Sequence, residues 1–329
     1  MMSRISCTAI AAALLLWGSV AVAQAPQQVP NWPARPIRLV VTFPPGGSTD
    51  TIARIVMPKL GERLGQPIVI DNRPGAGGAI GVDLVAKAAP DGYSIVLGAA
   101  GALTVNISLS KNPPYDPIRD LAPITMIGTS PFLLVAGSAF PTGTAKEVIA
   151  LAKAKPGQVT YASGGIGTAM HLSGELFRIM TGTDLVHVPY KGSGPAVVAA
   201  AAGETALAFA DITSALPLMK SGRVRPVGIL SRQRSELAPE IPTFAETGIP
   251  GYESIGWFGL LGPAGLPAAV VSRVNAETAT VMQDPEIRGR LLNAALEPWV
   301  STPEEFTRFM KAEIAKWAEV IRVSGTKVE

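Results

Sequence analysis

The sequence predicts an α/β protein with two domains, each a mostly parallel sheet flanked by helices. A short apolar strand, a glycine-rich turn and a helix follow one another around Pro45–Asp50, and the same order recurs around Ser163–Thr168. Strand–helix–strand repeats of this length are typical of parallel sheets with helices on both faces. The 329 residues are 47% apolar, which is enough to fill two cores rather than one.

The first unit begins with the apolar run Ile37–Phe43, which predicts a buried strand, and a Pro-Pro-Gly-Gly turn ends it. Apolar residues then recur at helical spacing over Ile52–Leu60, with Ser48 or Asp50 as the expected N-cap. The remaining predicted elements of this unit are the strand Pro67–Asp71, the glycine loop Asn72–Gly78, the helix Ile80–Ala88, the strand Tyr93–Leu97, the small-residue loop Ala99–Thr104 and the strand Leu121–Gly128.

A second unit restarts the same pattern near residue 128. Phe132–Ala136 predicts a strand, and Thr144 with Glu147 predicts a capping box in front of the next helix. The other predicted elements are the strands Val159–Ala162, Leu185–Val188, Thr205–Ala210 and Val224–Leu230, a helix opened by Thr168 with Leu172, Leu176 and Ile179 on one face, and the helices Ala196–Ala202 and Ser214–Lys220.

From Ile249 the chain reads like the first unit again. The predicted elements are the strand Ser254–Leu261, the helices Ala268–Met282 and Pro285–Leu296, and a final helix from a capping box at Thr302 to Gly325, with Phe306, Phe309, Met310, Ile314, Trp317 and Ile321 buried. Trp257 and Phe258 are interpreted as packing at a crossover rather than as an aromatic clamp. Crossings near residues 128 and 248 predict a hinge, with residues 24–128 and 248–329 in domain 1 and residues 129–247 in domain 2.

The first 23 residues have the pattern of a signal peptide. Arg4 precedes the apolar run Ile10–Val22, and Ala21-Val22-Ala23 forms a small-residue cleavage site. An uncleaved membrane anchor is the alternative, but the run is short for a membrane span. The only cysteine, Cys7, lies in this segment, so we expect the exported chain to have no disulfide and no thiolate metal ligand. The expected location is the periplasm.

Several classes of function lack the motifs that they need. The net charge is +3, but Lys and Arg do not cluster or alternate with aromatic residues, so we expect no nucleic-acid partner. The glycine loops lack the third glycine of a dinucleotide-binding fingerprint, and none leads into a P-loop lysine. A G-x-S-x-G nucleophile motif is absent, and His171 and His187 have no carboxylates at metal-ligand spacing. We therefore predict no cofactor, no metal and no enzymatic activity.

The two glycine loops are the candidates for binding chemistry. Each ends a strand and starts a helix, so unpaired main-chain N–H groups and the positive end of a helix dipole lie at the carboxyl edge of a sheet. If the two sheets face each other, a carboxylate between them takes several hydrogen bonds without any arginine. The alternative is that the loops only make tight turns, but two loops of the same layout favour a binding site.

Other residues at strand ends are expected to line the rest of the cleft: Tyr190, Lys191, Asp211 and Ala99–Thr104. Asp211 either accepts a hydrogen bond from an ammonium or hydroxyl group of the ligand, or caps the helix at Ser214. His171 either contacts the ligand or lines the cleft wall, whereas His187 alternates with valines on a strand and is expected to be structural.

Motifs along the whole chain resemble those of the Bug-type substrate-binding proteins of tripartite tricarboxylate transporters. They are Pro36-Ile37-Arg38, Pro45-Gly46-Gly47 with Asp50 and Ala53-Arg54, Asn72–Gly78, Asp91-Gly92-Tyr93, Tyr115-Asp116-Pro117, Tyr161-Ala162-Ser163 with Gly165, Gly167-Thr168, His171-Leu172, Pro189-Tyr190-Lys191-Gly192, and Pro242-Thr243-Phe244 with Glu246 and Gly248. The resemblance implies a two-domain periplasmic binding protein, of the type II-like Venus-flytrap class, that closes on its ligand. It also implies that a ligand carboxylate lies between Phe43–Asp50 and Ser163–Thr168.

The expected ligand-binding residues are Phe43, Pro45, Gly46, Gly47, Asp50, Gly77, Ala99, Ala100, Thr104, Ala162, Ser163, Gly165, Thr168, His171, Tyr190, Lys191 and Asp211. The function that the resemblance implies is a monomeric receptor that captures a small carboxylate and delivers it to the integral-membrane permease subunits of a tripartite transporter. The alternatives are a ligand sensor for a signalling partner, and a periplasmic hydrolase or isomerase that uses the same cleft.

Overall fold

The computed structural model describes residues 31–141 and 143–327, so the predicted signal peptide, residues 1–23, lies outside the described residues. The strands are β1 (Ile37–Val41), β2 (Ile68–Asn72), β3 (Ser94–Ala99), β4 (Leu121–Gly137), β5 (Val159–Ser163), β6 (Leu185–Pro189), β7 (Leu207–Asp211), β8 (Val224–Ile229) and β9 (Ile255–Pro263). The helices are α1 (Ser48–Leu64), α2 (Ala79–Ala86), α3 (Asn106–Leu109), α4 (Ala145–Ala154), α5 (Ala169–Thr181), α6 (Ser193–Ala202), α7 (Ile212–Lys220), α8 (Ala268–Met282), α9 (Pro285–Asn293) and α10 (Pro303–Ser324). Within these residues, every helix is too short or too polar to span a lipid bilayer.

The strands form two mixed sheets that share the long strand β4. In the first sheet, β1 pairs in parallel with β2 and β3, and β9 pairs antiparallel with β3 and β4. In the second sheet, β5 pairs in parallel with β6 and β7, and β4 pairs antiparallel with β7 and β8. The predicted α/β class is confirmed, but each sheet contains more antiparallel pairing than we expected. The chain reaches β9 through residues 230–254, which contain no helix, and antiparallel pairing needs no crossover helix.

Strand β4 is continuous where the sequence indicated two strands. We expected Leu121–Gly128 and Phe132–Ala136 to be separate, because Gly128 and Pro131 interrupt the apolar pattern. The backbone stays extended instead: an irregularity in its pairing with β9 lies next to Gly128, and Pro131 is the last residue of β4 that pairs with β9. The partner changes midway, since Pro131 pairs with β9 and Phe132 pairs with β7. This strand therefore joins the two sheets.

Helix α10 packs against the cores of both sheets. Its first half buries Phe306 and Met310 in the core of the first sheet, and its second half buries Trp317 and Ile321 in the core of the second. Of the residues expected to be buried in this helix, two are only half-buried: Phe309 and Ile314. The domain boundaries stay a prediction, although the end of α10, assigned to domain 1, contacts the core of the second sheet.

Two local predictions are wrong. Ala99–Thr104, expected to be a loop, leads into a π turn (Gly101–Val105) that continues into α3. Thr104 Oγ1 donates a hydrogen bond to the Ala100 carbonyl oxygen at 2.7 Å, so the small residues wind into a helix instead of an open loop. Ile179, expected on the buried face of α5, is 40% exposed because the carboxyl end of α5 extends beyond the core.

Gly259 lies in β9 beneath α10, where no side chain fits. A Cβ atom at this position would collide with the ring of Phe306, which is fully buried and packs edge-on against Trp257. We expect Gly259→Ala to lower the free energy of unfolding by about 1–3 kcal/mol, measured by urea denaturation. The control is Gly289→Ala in α9, where a Cβ meets no atom within 4 Å. We expect this substitution to stabilise the helix by roughly 0.5–1 kcal/mol. Equal stability of the two variants would contradict this packing.

Candidate functional site

A cleft of about 1350 Å³ lies at the carboxyl ends of the parallel strands. Its lining residues follow β1 and β3 of the first sheet and β5 and β7 of the second, and others belong to the middle of β4 and the start of β9. Ligands of open α/β sheets bind at such carboxyl edges. Both predicted glycine loops contribute to this one cleft, the first through Pro45–Thr49 and the second through Ile166–Thr168.

Helix α1 begins without a side-chain cap. Gly47 is its N-cap and provides no side-chain hydrogen bond, so the expectation that Ser48 or Asp50 caps this helix is wrong. The main-chain N–H groups of Ser48 and Thr49 donate no hydrogen bond within the described residues, and both residues line the cleft. The helix therefore presents unpaired donors and the positive end of its dipole to the cleft.

Asp50 supports the first glycine loop from behind instead of lining the cleft. Its buried carboxylate accepts hydrogen bonds from the Gly46 N–H at 2.9 Å and from Arg54 Nε at 2.8 Å. Asn72 Nδ2 donates both to this carboxylate, at 3.1 Å, and to the Phe43 carbonyl oxygen, at 3.0 Å. The hydrogen bond from Arg54 is the main reason why the pKa of Asp50 lies below its ordinary value. The loop is thus held at both of its ends by one carboxylate and one amide.

Helix α5 presents a second open end to the cleft. Thr168 is its N-cap, as predicted: the hydroxyl oxygen accepts a hydrogen bond from the His171 N–H at 3.3 Å and donates one to the Gly165 carbonyl oxygen at 2.7 Å. The N–H groups of Ala169 and Met170 have no acceptor within the part of the chain that the structure describes, and both residues line the cleft. The second loop therefore offers the same kind of donors as the first.

Two stacked imidazole rings, 4.0 Å apart between centroids, support the second glycine loop. His171 Nδ1 accepts a hydrogen bond from the Gly167 N–H at 3.1 Å, and His187 Nε2 lies 2.7 Å from Ser163 Oγ. Burial lowers the pKa of both rings, and the neighbouring His171 lowers that of His187 further, to about 4. Neutral imidazoles therefore hold this loop at neutral pH, and neither ring lines the cleft.

The structure brings only part of the predicted ligand-binding set to the cleft. The residues that line it are Phe43, Pro45, Gly46, Gly47, Gly77, Ala99, Ala100, Thr168 and Asp211. The residues that lie outside its lining are Asp50, Thr104, Ala162, Ser163, Gly165, His171, Tyr190 and Lys191. Asp50 and His171 of the second group hold the loops through hydrogen bonds, and the Tyr190 hydroxyl donates to Glu204 at 3.0 Å. Which lining residues contact a ligand stays a prediction.

Several residues that the sequence reasoning missed also line the cleft. Asn106 Nδ2 donates to the carbonyl oxygens of Ala76 and Gly77, both at 3.2 Å, and so holds the turn that carries Gly77. Trp257 and Phe258 are buried, as their interpretation as packing residues requires, but they also line the cleft. Others are Ser130, Phe132, Met170, Thr213 and Ser214. Periodicity could not single them out, because which face of an element lines a cleft depends on the opposite sheet.

The cleft has little side-chain charge. Among the described residues that line it, Asp211 is the only Asp, Glu, Lys or Arg. Tyr115 has its pKa raised by burial, and its hydroxyl donates to the Ala102 carbonyl oxygen at 2.6 Å. The described residues contain no group of three His, Cys, Asp or Glu side chains placed to hold a metal ion. The arrangement can bind a small anion through main-chain N–H and hydroxyl groups, as helix N-termini do.

Asn72→Ala should lower the free energy of unfolding by about 1–3 kcal/mol, because it removes a donor from both the Asp50 carboxylate and the Phe43 carbonyl oxygen. Urea denaturation measures the change. Asn293→Ala is the control, since Asn293 is exposed and its side chain makes no hydrogen bond within the described residues. We expect that variant to stay within about 0.5 kcal/mol of the original protein. Similar losses in both variants would mean that Asn72 does not support the loop.

His187 should make the protein less stable as the pH falls from about 6.5 to about 4. The folded ring stays neutral down to its lowered pKa, while the unfolded chain takes up a proton at the ordinary pKa of histidine. Because the unfolded state binds more protons in this window, the free energy of unfolding falls with pH, by roughly 1–2 kcal/mol after solvent screening. His187→Gln should remove this contribution in urea denaturation at several pH values. An unchanged pH dependence would contradict the burial of a neutral ring.

Comparisons with known proteins cover nearly the whole chain. The family model described as "Tripartite tricarboxylate transporter family receptor" matches residues 52–326. Protein BugT of Bordetella pertussis is 38% identical over 306 residues, which cover 93% of this chain and 94% of BugT.

Two similar solved structures contain carboxylic acids. R. palustris Rpa4515 with adipate is 35% identical with a TM-score of 0.74, and the match covers 90% of this chain and 99% of that chain. MatC from Rhodopseudomonas palustris with bound malate is 30% identical with a TM-score of 0.70, over 88% of this chain and 100% of MatC. The motifs, the fold and these matches agree, and the protein belongs to the tripartite tricarboxylate transporter receptor family.

Proposed function

We propose that this protein is an extracytoplasmic receptor that captures a small organic carboxylate in the cleft between its sheets. The observation that carries the proposal is a pair of open helix starts on one cleft. The N–H groups of Ser48 and Thr49 lie at the first, and those of Ala169 and Met170 at the second. Because the described lining of this cleft contains no Lys or Arg, the main chain supplies the positive potential that a carboxylate needs.

Hydrogen bonds from these donors supply part of the affinity. A hydrogen bond to a charged group contributes about 1.5–3 kcal/mol net, so four contribute about 6–12 kcal/mol. Because association costs about 4 kcal/mol or more in translational and rotational freedom, micromolar binding, which corresponds to about 8 kcal/mol, also needs burial of the apolar part of the ligand. The hydroxyl group of Ser48, another lining residue, adds a donor at the first helix start, whereas the Thr168 hydroxyl already donates to the Gly165 carbonyl oxygen.

Family membership supports the rest of the proposed role. The relatives solved with adipate and malate support a carboxylate as ligand. The family description supports delivery to the membrane subunits of a tripartite transporter, and the N-terminal sequence pattern supports export to the periplasm. We propose that the receptor acts as a monomer with two domains, residues 24–128 with 248–329 and residues 129–247. The two domains close on the ligand, and the closed form docks on the permease. A sensory role would use the same cleft, but the family description favours transport.

The hydrogen bond between Ser163 and His187 does not favour the hydrolase alternative. A serine within 2.7 Å of an imidazole resembles a nucleophile and its base. Ser163 is fully buried, however, and neither residue lines the cleft. A substrate in the cleft therefore has no nucleophile–base pair within reach, and we propose that the protein has no enzymatic activity.

Ala169→Pro tests the main-chain site directly. Ala169 is the first residue of α5, where proline fits the helix and removes only the N–H group. We expect the affinity for a bound acid to fall about 10-fold or more, the loss of one charge-assisted hydrogen bond, with an unfolding free energy close to the original. Ala268→Pro is the matched control, because Ala268 is the first residue of α8, is exposed and does not line the cleft. A substitution of Thr168 by valine would test the same helix start less directly, because it also removes the N-cap of α5.

A ligand for that measurement comes from a thermal-shift screen against small carboxylic acids, followed by titration calorimetry. An acid at about a hundred times its dissociation constant should add about 2.7 kcal/mol to the free energy of unfolding. If no acid stabilises the protein, or if Ala169→Pro binds the acid as tightly as Ala268→Pro does, the proposed site is wrong.

A further inference from the structure

Asp211 is the N-cap of α7 and, within the part of the chain that the structure describes, the one charged side chain in the lining of the cleft. Its Oδ1 accepts a hydrogen bond from the Ser214 N–H at 2.8 Å, and its own N–H donates to Ser193 Oγ at 3.0 Å. Its Oδ2 accepts no hydrogen bond within the described residues. The two roles left open by the sequence are therefore compatible, because one oxygen caps the helix and the other remains available in the cleft.

Asp211 lies beside the second open helix start. Strands β5 and β7 are parallel neighbours, with Ala162 opposite Ala208, so their chains run about 4.8 Å apart. The loop that follows β5 leads to Ala169, and β7 ends at Asp211 itself. A carboxylate held at the start of α5 therefore places the rest of its molecule within reach of Asp211.

Helix α7 also starts at the cleft, and the N–H group of its lining residue Thr213 has no acceptor within the described residues. Its N-cap, however, is the Asp211 carboxylate, which offsets the partial positive charge of that helix end. The described lining of the cleft contains no Lys or Arg that could neutralise a second negative group near Asp211. The remaining surface near Asp211 is largely apolar and includes Phe132, Ile166 and Met170. A second carboxylate at this position would face a like charge in surroundings that screen it poorly.

We infer that the ligand is a monocarboxylate with an apolar body and a hydrogen-bond donor, an ammonium or a hydroxyl group, directed at Asp211. This inference rests on the proposed function and narrows its ligand class. The relatives solved with adipate and malate contain dicarboxylates, so the inference predicts a different class of ligand for this chain. The carboxylate binds the open helix starts, the apolar body covers Phe132 and its neighbours, and the donor binds the free oxygen of Asp211.

Seven acids with one six-carbon skeleton test the inference by calorimetry. Hexanoate is the reference. Four acids add a donor near to or far from the carboxylate: 2-aminohexanoate, 6-aminohexanoate, 2-hydroxyhexanoate and 6-hydroxyhexanoate. Two acids carry a second carboxylate near to or far from the first: 2-carboxyhexanoate and adipate. We expect at least one donor-bearing acid to bind about 10-fold or more tightly than hexanoate, the effect of one hydrogen bond to a charged group. We expect both dicarboxylates to bind more weakly than hexanoate.

Asp211→Asn removes the charge and keeps a side chain that caps helices well. It should reduce the preference for the donor-bearing acid over hexanoate by about 10-fold or more and strengthen the binding of the dicarboxylates. Asp284→Asn is the matched control, because Asp284 caps α9 through the Glu286 N–H at 2.9 Å and does not line the cleft. That variant should keep the preferences of the original protein.

The outcomes separate this inference from the proposed function. If a dicarboxylate binds the original protein most tightly, or if Asp211→Asn leaves the preference unchanged, the inference about the ligand class is wrong and the carboxylate receptor stands. If hexanoate binds as tightly as every donor-bearing acid, the inference about the ligand class is also wrong and the carboxylate receptor stands. If none of the seven acids and no member of the wider screen binds, both the inference and the proposed function fail.

Discussion

The cleft depends on two helices whose first turns keep free main-chain N–H groups. Gly47, the N-cap of α1, has no side chain, and Thr168 takes only the third N–H group of α5, as Thr144 and Thr302 do in α4 and α10. What distinguishes α1 and α5 from α4 and α10 is that their first residues line the cleft. Unpaired donors are tolerated at a wet surface but are costly when buried. Water must therefore occupy these helix starts until an anion replaces it.

Such donors bind an anion well only if the loops that carry them keep their shape, and buried groups behind the loops provide this. Asp50 and Asn72 hold the first loop, and the stacked imidazoles of His171 and His187 hold the second. A carboxylate beside the start of α1 would weaken its dipole, but Arg54 pairs with Asp50 at 2.8 Å and offsets that charge. The supports thus fix the geometry without making the cleft negative at its anion site.

Periodicity predicted most of the elements because strands and helices space their apolar residues differently, and α8 was predicted with its observed bounds. We divided β4 into two strands, which is wrong. Gly and Pro usually end a strand, but β4 continues through them because it changes pairing partners at Pro131. Asp50 was misplaced although Arg54, four residues further along the helix, was a local signal for its ion pair. Only the hydrogen bond from Asn72, 22 residues away, lies beyond any local pattern. The lining residues of β9 were missed because they depend on the position of the opposite sheet.

The site that we propose separates anion binding from ligand selection. Main-chain N–H groups at the starts of α1 and α5 persist through every substitution except proline, so the proposed anion site survives changes in the side chains around it. Asp211, Phe132 and Met170 are side chains of the lining and can change without disturbing those donors. A protein built in this way can acquire new ligands by point substitutions around one fixed anion site. Two similar proteins solved with different acids, adipate and malate, share its fold.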